Sequence, residues 1–332
     1  MASLCLILQR IHDDGPALLR AAGHDSRLSR SLEREALAGE IAGARAVLTR
    51  DARVDAALMD AAPGLEVIGV HGAGVDNVDL AAATARGILV VNTPGANARS
   101  VAEHALALVF HLAKSLGPGD RAARASDGTF KYRSALTELE CAIFGVVGFG
   151  AIGAATARLA RALGMEVVVW TRRPADPAVA AAGFPQIAAL DDLLGVADIV
   201  SLHLPGGEGT RHLIGAAQIA RMKPSALLIN TARGTVVDEA ALAVALREGR
   251  IGGAGLDVFE VEPLPPASPL IGLDNVVLTP HVSGSTQAAL KRTATVLAGE
   301  VIAALAGRRP THLVNPQAWT ARRIGARSEA GA

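Results

Sequence analysis

The sequence predicts an α/β protein built as two doubly wound parallel-sheet domains with a cleft between them. Three observations carry that prediction. Short apolar runs alternate with helical stretches twice along the chain, once before residue 98 and again after residue 141. A glycine-rich turn, Gly148-Phe149-Gly150-Ala151-Ile152-Gly153, leaves one apolar run and opens a helical one. Half of the 332 residues are hydrophobic but only 3% are aromatic, so Ala, Val and Leu must fill the core, a composition suited to alanine-rich helices on valine-rich strands.

In the first hundred residues Leu4–Leu8, Ala46–Leu48, Val67–Val70 and Ile88–Val91 have the short apolar character of strands, with helices over Asp55–Ala62 and Asp79–Arg86 between them. A long helix follows from about Ser100 to Ser115, where Val101, Ala105, Leu108 and Leu112 share one apolar face. The second alternation has strands at Ile143–Val147, Glu166–Trp170, Asp198–Leu202, Ala226–Asn230, Gly253–Asp257 and Val276–Leu278. Its helices are Ile152–Leu163, Asp191–Leu194, Glu239–Glu248 and Thr286–Leu305. The second domain is complete near residue 287, and the last helix returns to the first domain.

The 32 Lys and Arg balance the 32 Asp and Glu, and no basic run interleaves with aromatics, so no nucleic-acid partner is expected. Leu4–Leu8 is too short for the core of a signal peptide, and no basic segment precedes it. The apolar stretch Ala102–Ala113 carries Glu103, His104 and His111, which argues against a membrane span. Cys5 and Cys141 both fall in apolar, strand-like runs; they make no disulfide framework, and without a CxxC pair no metal is expected. These features predict a soluble, cytoplasmic protein.

Gly148, Gly150 and Gly153 stand where a dinucleotide-binding turn needs them, for the tight bend, the backbone approach to pyrophosphate and close helix–strand packing. The helix N-terminus then faces the negative charge. An NAD site usually carries an acid at the end of the next strand, to hold the ribose hydroxyls. Here Val169-Trp170-Thr171-Arg172-Arg173 has none, and Thr171, Arg172 and Arg173 suit a 2′-phosphate instead. NADP is therefore favoured, with NAD left open.

Arg233, Glu262 and His281 each follow one of the later strands. Taken singly they have bland readings: a surface ion pair, a loop acid and a strand-end hydrogen bonder. Together they form a coherent set. A guanidinium can hold the carboxylate and carbonyl oxygens of a 2-keto acid, and an imidazole beside a carboxylate can deliver a proton as hydride reaches carbon.

Along most of the chain run, in order, His71-Gly72-Ala73-Gly74-Val75-Asp76-Asn77-Val78-Asp79, Asn92-Thr93-Pro94-Gly95, Ser100-Val101-Ala102-Glu103-His104, the glycine turn, Asn230–Gly234, Asp257–Pro263 and Thr279-Pro280-His281. With these motifs in this order the chain resembles the D-isomer-specific 2-hydroxyacid dehydrogenase family. The resemblance implies a flavodoxin-like substrate domain, 1–98 completed by 288–332, and a Rossmann-type cofactor domain, 99–287. It implies Arg233 as substrate binder, His281 as general acid, Glu262 as its partner, and the Gly72, Ala73 and Gly74 amides as carboxylate binders. Ala73, Ala151, Ile152, Leu204, Pro205, Thr231, Ala232, Asp257 and Gly284 are then expected to line the cofactor site, and a homodimer is expected.

Several positions depart from the family pattern. Thr171 replaces the usual ribose-binding acid, and Glu140-Cys141-Ala142-Ile143-Phe144 replaces a more polar Gly/Lys turn. Val70 stands where phosphoglycerate dehydrogenases commonly have arginine. The expected substrate is thus a small unphosphorylated 2-keto acid such as glyoxylate or hydroxypyruvate. The alternatives are phosphoglycerate dehydrogenase activity, formate oxidation (a branch with glutamine at the Glu262 position) and a non-catalytic NAD(P) sensor.

Overall fold

The structure is a computed structural model and describes residues 3–323. Two compact units divide between Asn97 and Ala98 and again between Gly284 and Ser285. The first contains β1 (Leu4–Ile7), α1 (Asp14–Ala21), β2 (Asp25–Leu28), α2 (Arg34–Ile41), β3 (Ala44–Thr49), α3 (Ala56–Asp60), β4 (Val67–Val70), α4 (Leu80–Ala85) and β5 (Leu89–Val91). Its sheet is parallel throughout, in the order β2-β1-β3-β4-β5, which is the flavodoxin-like order. β4 and β5 are apolar at every position because both faces are covered. Leu58, Met59 and Ile68 belong to the core on one face; on the other, the return helix Gln287–Leu305 seats Ala294, Leu297 and Val301. Asp55 and Asp79 cap α3 and α4 by accepting from the Leu58 and Ala82 amides.

Three elements of this unit escape the sequence periodicity. β2 is an edge strand, mostly exposed, and Asp25-Ser26-Arg27-Leu28 has no apolar alternation to mark it. Asp14-Gly15-Pro16 has the composition of a turn, yet it opens α1, whose first turn has no N–H bond for Pro16 to break. α2 has only Leu37 and Ile41 buried.

The second unit contains α5 (Ala98–Ala113), α6 (Leu116–Arg124), α7 (Phe130–Arg133), β6 (Ile143–Val147), α8 (Ala151–Ala162), β7 (Glu166–Trp170), α9 (Pro177–Ala181), α10 (Leu190–Val196), β8 (Ile199–Leu202), α11 (Ala216–Ile219), β9 (Leu227–Asn230), α12 (Glu239–Arg247), β10 (Gly253–Leu256) and β11 (Val276–Leu278). Six parallel strands run β11-β10-β9-β8-β6-β7. Beyond β7, Gln186 makes a single parallel bridge to Val169, flanked by Val169 N→Pro185 O at 2.9 Å and Ile187 N→Val169 O at 2.8 Å. With that bridge counted as the third strand in chain order, the sheet has the Rossmann-type order 3-2-1-4-5-6 and one strand more. The strand order reverses at β6, so the loops after β6 and β8 flank the switch point.

Cys141 corrects the strand expected around it. It lies exposed in the turn before β6, with φ 62° and its N–H bonded to Gly164 O at 2.9 Å. That left-handed conformation is one a glycine adopts freely. Cys5 does sit on β1, buried, and burial pushes its thiol up to about 12. Among the described residues no helix is long and apolar enough to cross a membrane, and no group of three or more His, Cys, Asp or Glu is placed to hold a metal.

Candidate active site

The glycine turn shows three different constraints. Gly148 has φ 96°, and a Cβ there would lie 2.6 Å from His203 O. A Cβ on Gly153 would lie 2.1 Å from Gly148 O, so the packing of α8 against the turn excludes any side chain. Gly150 has neither constraint: its φ is −76°, and a Cβ would meet nothing within 4 Å. It is the N-cap of the 12-residue α8, and no side chain caps the helix. The turn thus leaves open space in front of uncapped amides at the positive end of a helix dipole, where Ala151 and Ile152 begin α8. This cradle fits the pyrophosphate of a dinucleotide.

The neighbouring loops agree with that fit. Thr231 Oγ1, just after β9, and His203 Nδ1, just after β8, are buried with no hydrogen-bond partner among the described residues. Burial pushes His203 down to about 3, so it is neutral, and its Nε2 lies 2.9 Å from Ser201 Oγ. Leu204 and Ala232 are buried and Pro205 is exposed. After β7, the Thr171 hydroxyl donates to Arg173 O at 2.8 Å and accepts from Gln186 Nε2 at 3.2 Å. The turn is stapled, and Arg172 and Arg173 are left exposed. The Arg173 guanidinium stands 3.9 Å from Asp176.

The Arg–Glu–His group is built from three strand ends. Asn230 closes the loop after β9: its Oδ1 accepts from Ala232 N at 3.0 Å and its Nδ2 donates to Arg233 O at 2.9 Å. Arg233 Nη1 donates to Ala232 O at 2.7 Å. A Cβ at Gly234 would lie 1.8 Å from the Phe259 carbonyl carbon, so this loop presses directly on the one after β10. There Glu262 Oε1 accepts from Phe259 N at 3.0 Å, while Oε2 stands 2.7 Å from His281 Nδ1. The imidazole is therefore anchored through Nδ1, which leaves Nε2 for another group. The two side chains remain 36% and 45% exposed.

Electrostatics poises the pair. The hydrogen bond to Glu262 raises the His281 pKa above the usual imidazole value; burial works against it, and the charges of Glu262 and Asp257 support it. Burial pushes the Glu262 carboxyl up, but hydrogen bonds from His281 and Phe259 and the charges of His281 and Arg233 hold it below its usual value. A proton on His281 is stabilised, and its carboxylate partner stays ionised.

His281 itself has φ 52°, a left-handed conformation that costs a non-glycine residue roughly 1–3 kcal/mol and must be imposed by its surroundings. Asp257 does much of this. It is fully buried, and its carboxylate accepts from Thr279 Oγ1 and from the amides of Val282 and Ser283. Asp257, expected on the cofactor wall, turns its carboxylate oxygens inward, toward the loop ending at Gly284. Ser100 and His104 of α5 also touch this loop. Their spacing of four residues on one helix face was the available clue.

Gly72, Ala73 and Gly74 belong to the first unit, after β4. Gly72 O accepts from Thr93 N and Oγ1, and Ala73 O accepts from Asn92 Nδ2. A trans peptide points its N–H opposite to its carbonyl, so the amides of Ala73 and Gly74 face away from these anchors. His71 beside them is pushed down to about 4, first by burial and then by the Arg50 charge.

A doubly wound sheet with a dinucleotide cradle and an Arg–Glu–His group along one edge defines a nucleotide-dependent dehydrogenase scaffold. The chain belongs to the D-isomer specific 2-hydroxyacid dehydrogenase family, whose NAD binding domain profile matches residues 106–283. It is 40% identical over 267 residues to a glyoxylate reductase of Korarchaeum cryptofilum, covering 80% of each chain. It is 37% identical over 303 residues to a D-3-phosphoglycerate dehydrogenase of Archaeoglobus fulgidus, covering 90% of this chain but 56% of that protein. This chain therefore spans little more than half the length of that relative. Its fold matches the NADPH-dependent glyoxylate/hydroxypyruvate reductase of Sinorhizobium meliloti, solved with NADP and malonate, at a TM-score of 0.84 and 28% identity, covering 97% and 99% of the two chains.

Glu262→Gln removes the charge that favours protonated His281 and should lower its pKa. An NMR titration of the His281 ring checks this; an unmoved midpoint would mean the pair is not coupled.

Proposed function

We propose that the chain reduces a small 2-keto acid of the glyoxylate or hydroxypyruvate type to the D-2-hydroxy acid, with NADPH preferred over NADH. The observation that carries this is the 2.7 Å contact between His281 Nδ1 and Glu262, beside Arg233 and along the sheet edge that holds the glycine cradle. When bound, the nicotinamide cofactor supplies the hydride that adds to the carbonyl carbon. Gly148, Gly150, Ala151, Ile152 and Gly153 would hold its pyrophosphate. Leu204, Pro205, Thr231, Ala232, Asp257 and Gly284 would line the remaining site, and Arg172 and Arg173 would pair with a 2′-phosphate beside Thr171.

The chain's own residues supply the rest. Arg233 holds the carboxylate and carbonyl oxygens and offsets the negative charge that develops on oxygen. The Gly72, Ala73 and Gly74 amides are proposed to share the carboxylate. His281 donates its Nε2 proton to that oxygen and finishes neutral, with Nδ1–H still on Glu262. The keto acid thereby gains one hydride and one proton.

D-3-phosphoglycerate dehydrogenase activity is the second reading, favoured by the Archaeoglobus relative. Against it, Val70, buried in β4, stands where phosphoglycerate dehydrogenases commonly have arginine. A cytoplasmic homodimer is also proposed, supported by two free cysteines and by exposed Leu116, Tyr132 and Leu136 within one segment.

NADPH and NADH oxidation with glyoxylate, hydroxypyruvate, 3-phosphohydroxypyruvate and a bulkier 2-keto acid tests the reading. We expect turnover with a small unphosphorylated acid and NADPH; cofactor binding without turnover of any acid would instead indicate a sensor. His281→Ala should lower turnover roughly 10²–10⁴-fold with cofactor affinity kept, and undiminished turnover would remove His281 from its role. Replacing Arg172 and Arg173 by Ala should raise the KM for NADPH about tenfold or more and spare NADH. Equal effects on both cofactors would discard the phosphate site.

A further inference from the structure

Behind the proton donor, α5 presents two polar residues, one helical turn apart, that the chemistry above leaves unused. Ser100 Oγ donates to Ser283 O at 2.5 Å, and His104 Nε2 lies 2.9 Å from Thr279 Oγ1. Both partners lie in the segment 279–283, which carries His281. Asp257 grips the same segment. Its backbone oxygen accepts from His281 N at 2.8 Å, its Oδ1 from Thr279 Oγ1 at 2.6 Å and Val282 N at 2.9 Å, and its Oδ2 from Ser283 N at 2.9 Å.

The proton count fixes the direction of this network. The Thr279 hydroxyl has one proton, committed to the Asp257 carboxylate. Thr279 Oγ1 must then accept from His104, which places a hydrogen on His104 Nε2. The result is a one-way chain, imidazole N–H to hydroxyl to carboxylate, in which each bond polarises the next. The carboxylate at its end is fully buried, and His104 Nε2 is itself only 3.6 Å from Asp257 Oδ1.

We infer that His104 is a positioning residue for His281, acting through Thr279 and Asp257 to hold the 279–283 segment in the conformation that presents the imidazole. The inference rests on the reading of His281 as proton donor. His281 stands in a left-handed conformation that its own residue type disfavours, and its side chain is 45% exposed, so the backbone beneath it must be held from behind. Small misplacement of a donor is enough to matter, since a shift of about 1 Å can cost roughly 10²-fold in rate.

The test places His104→Leu and His104→Gln in both the unaltered enzyme and a His281→Ala background. It uses whichever nicotinamide and 2-keto acid turn over. The glutamine amide can replace the Nε2–H donor; leucine cannot. We expect His104→Leu to lower kcat roughly 10- to 100-fold, with KM for the acid and Kd for the reduced nucleotide changed less than about twofold. His104→Gln should recover most of the loss. In the His281→Ala background His104→Leu should cost less than about twofold, because the group it positions is gone. Should the leucine variant not fold, His104→Asn, too short to reach Thr279, should show the same pattern. An equal loss in both backgrounds would mark His104 as a packing residue and overturn the inference, as would full activity of the single variant. Wild-type turnover in His281→Ala alone would instead overturn the proton-donor reading on which it rests.

Discussion

Parallel strand direction is the constraint on which the site depends. Crossover helices return the chain to the same end of the sheet each time, so every strand releases its loop at one edge. In the second unit the ends are also level: Trp170, Val147, Leu202, Asn230, Leu256 and Leu278 form one row of register partners across six strands. The next residue on each strand is Thr171, Gly148, His203, Thr231, Asp257 or Thr279. Strands lie about 4.8 Å apart, so residues far apart in sequence are brought within reach of one another without any further device.

Within that row, packing and charge play distinct parts. Gly148 and Gly153 are dictated by close backbone contacts, whereas Gly150 keeps space open before a helix dipole. Gly234 lets two loops touch, which brings Arg233 toward Glu262. The strained backbone at His281 is then held by Asp257, a carboxylate with no exposure and three side-chain acceptor bonds. Strain of this kind persists only where the surroundings over-determine it. Here the buried Asp257 carboxyl group supplies that over-determination from the backbone side, and Glu262 holds the ring through Nδ1.

Legibility in the sequence followed burial. β4, β6, β8 and β9 are covered on both faces and stand out as apolar runs, whereas β2 and the bridge at Gln186 lie at sheet edges and carry no alternation. Cys141 shows a limit of another sort, because an apolar neighbourhood does not reveal a left-handed turn. Arg233, Glu262 and His281 could be singled out because each follows a strand within a motif. Their pairing could not be: Glu262 and His281 are 19 residues apart, and His104 reaches Thr279 across 175. The inward turn of the Asp257 carboxylate likewise depends on three-dimensional contacts that no local pattern encodes.

In the proposed reaction protonated His281, stabilised by ionised Glu262, delivers the proton to the keto acid. The pH dependence of kcat/KM for reduction tests it most directly. A donor must be protonated to act, so the rate should hold at low pH and fall as pH rises through a pKa above the usual imidazole value. A rate that stayed flat through that range, or rose with pH, would rule out His281 as the proton donor.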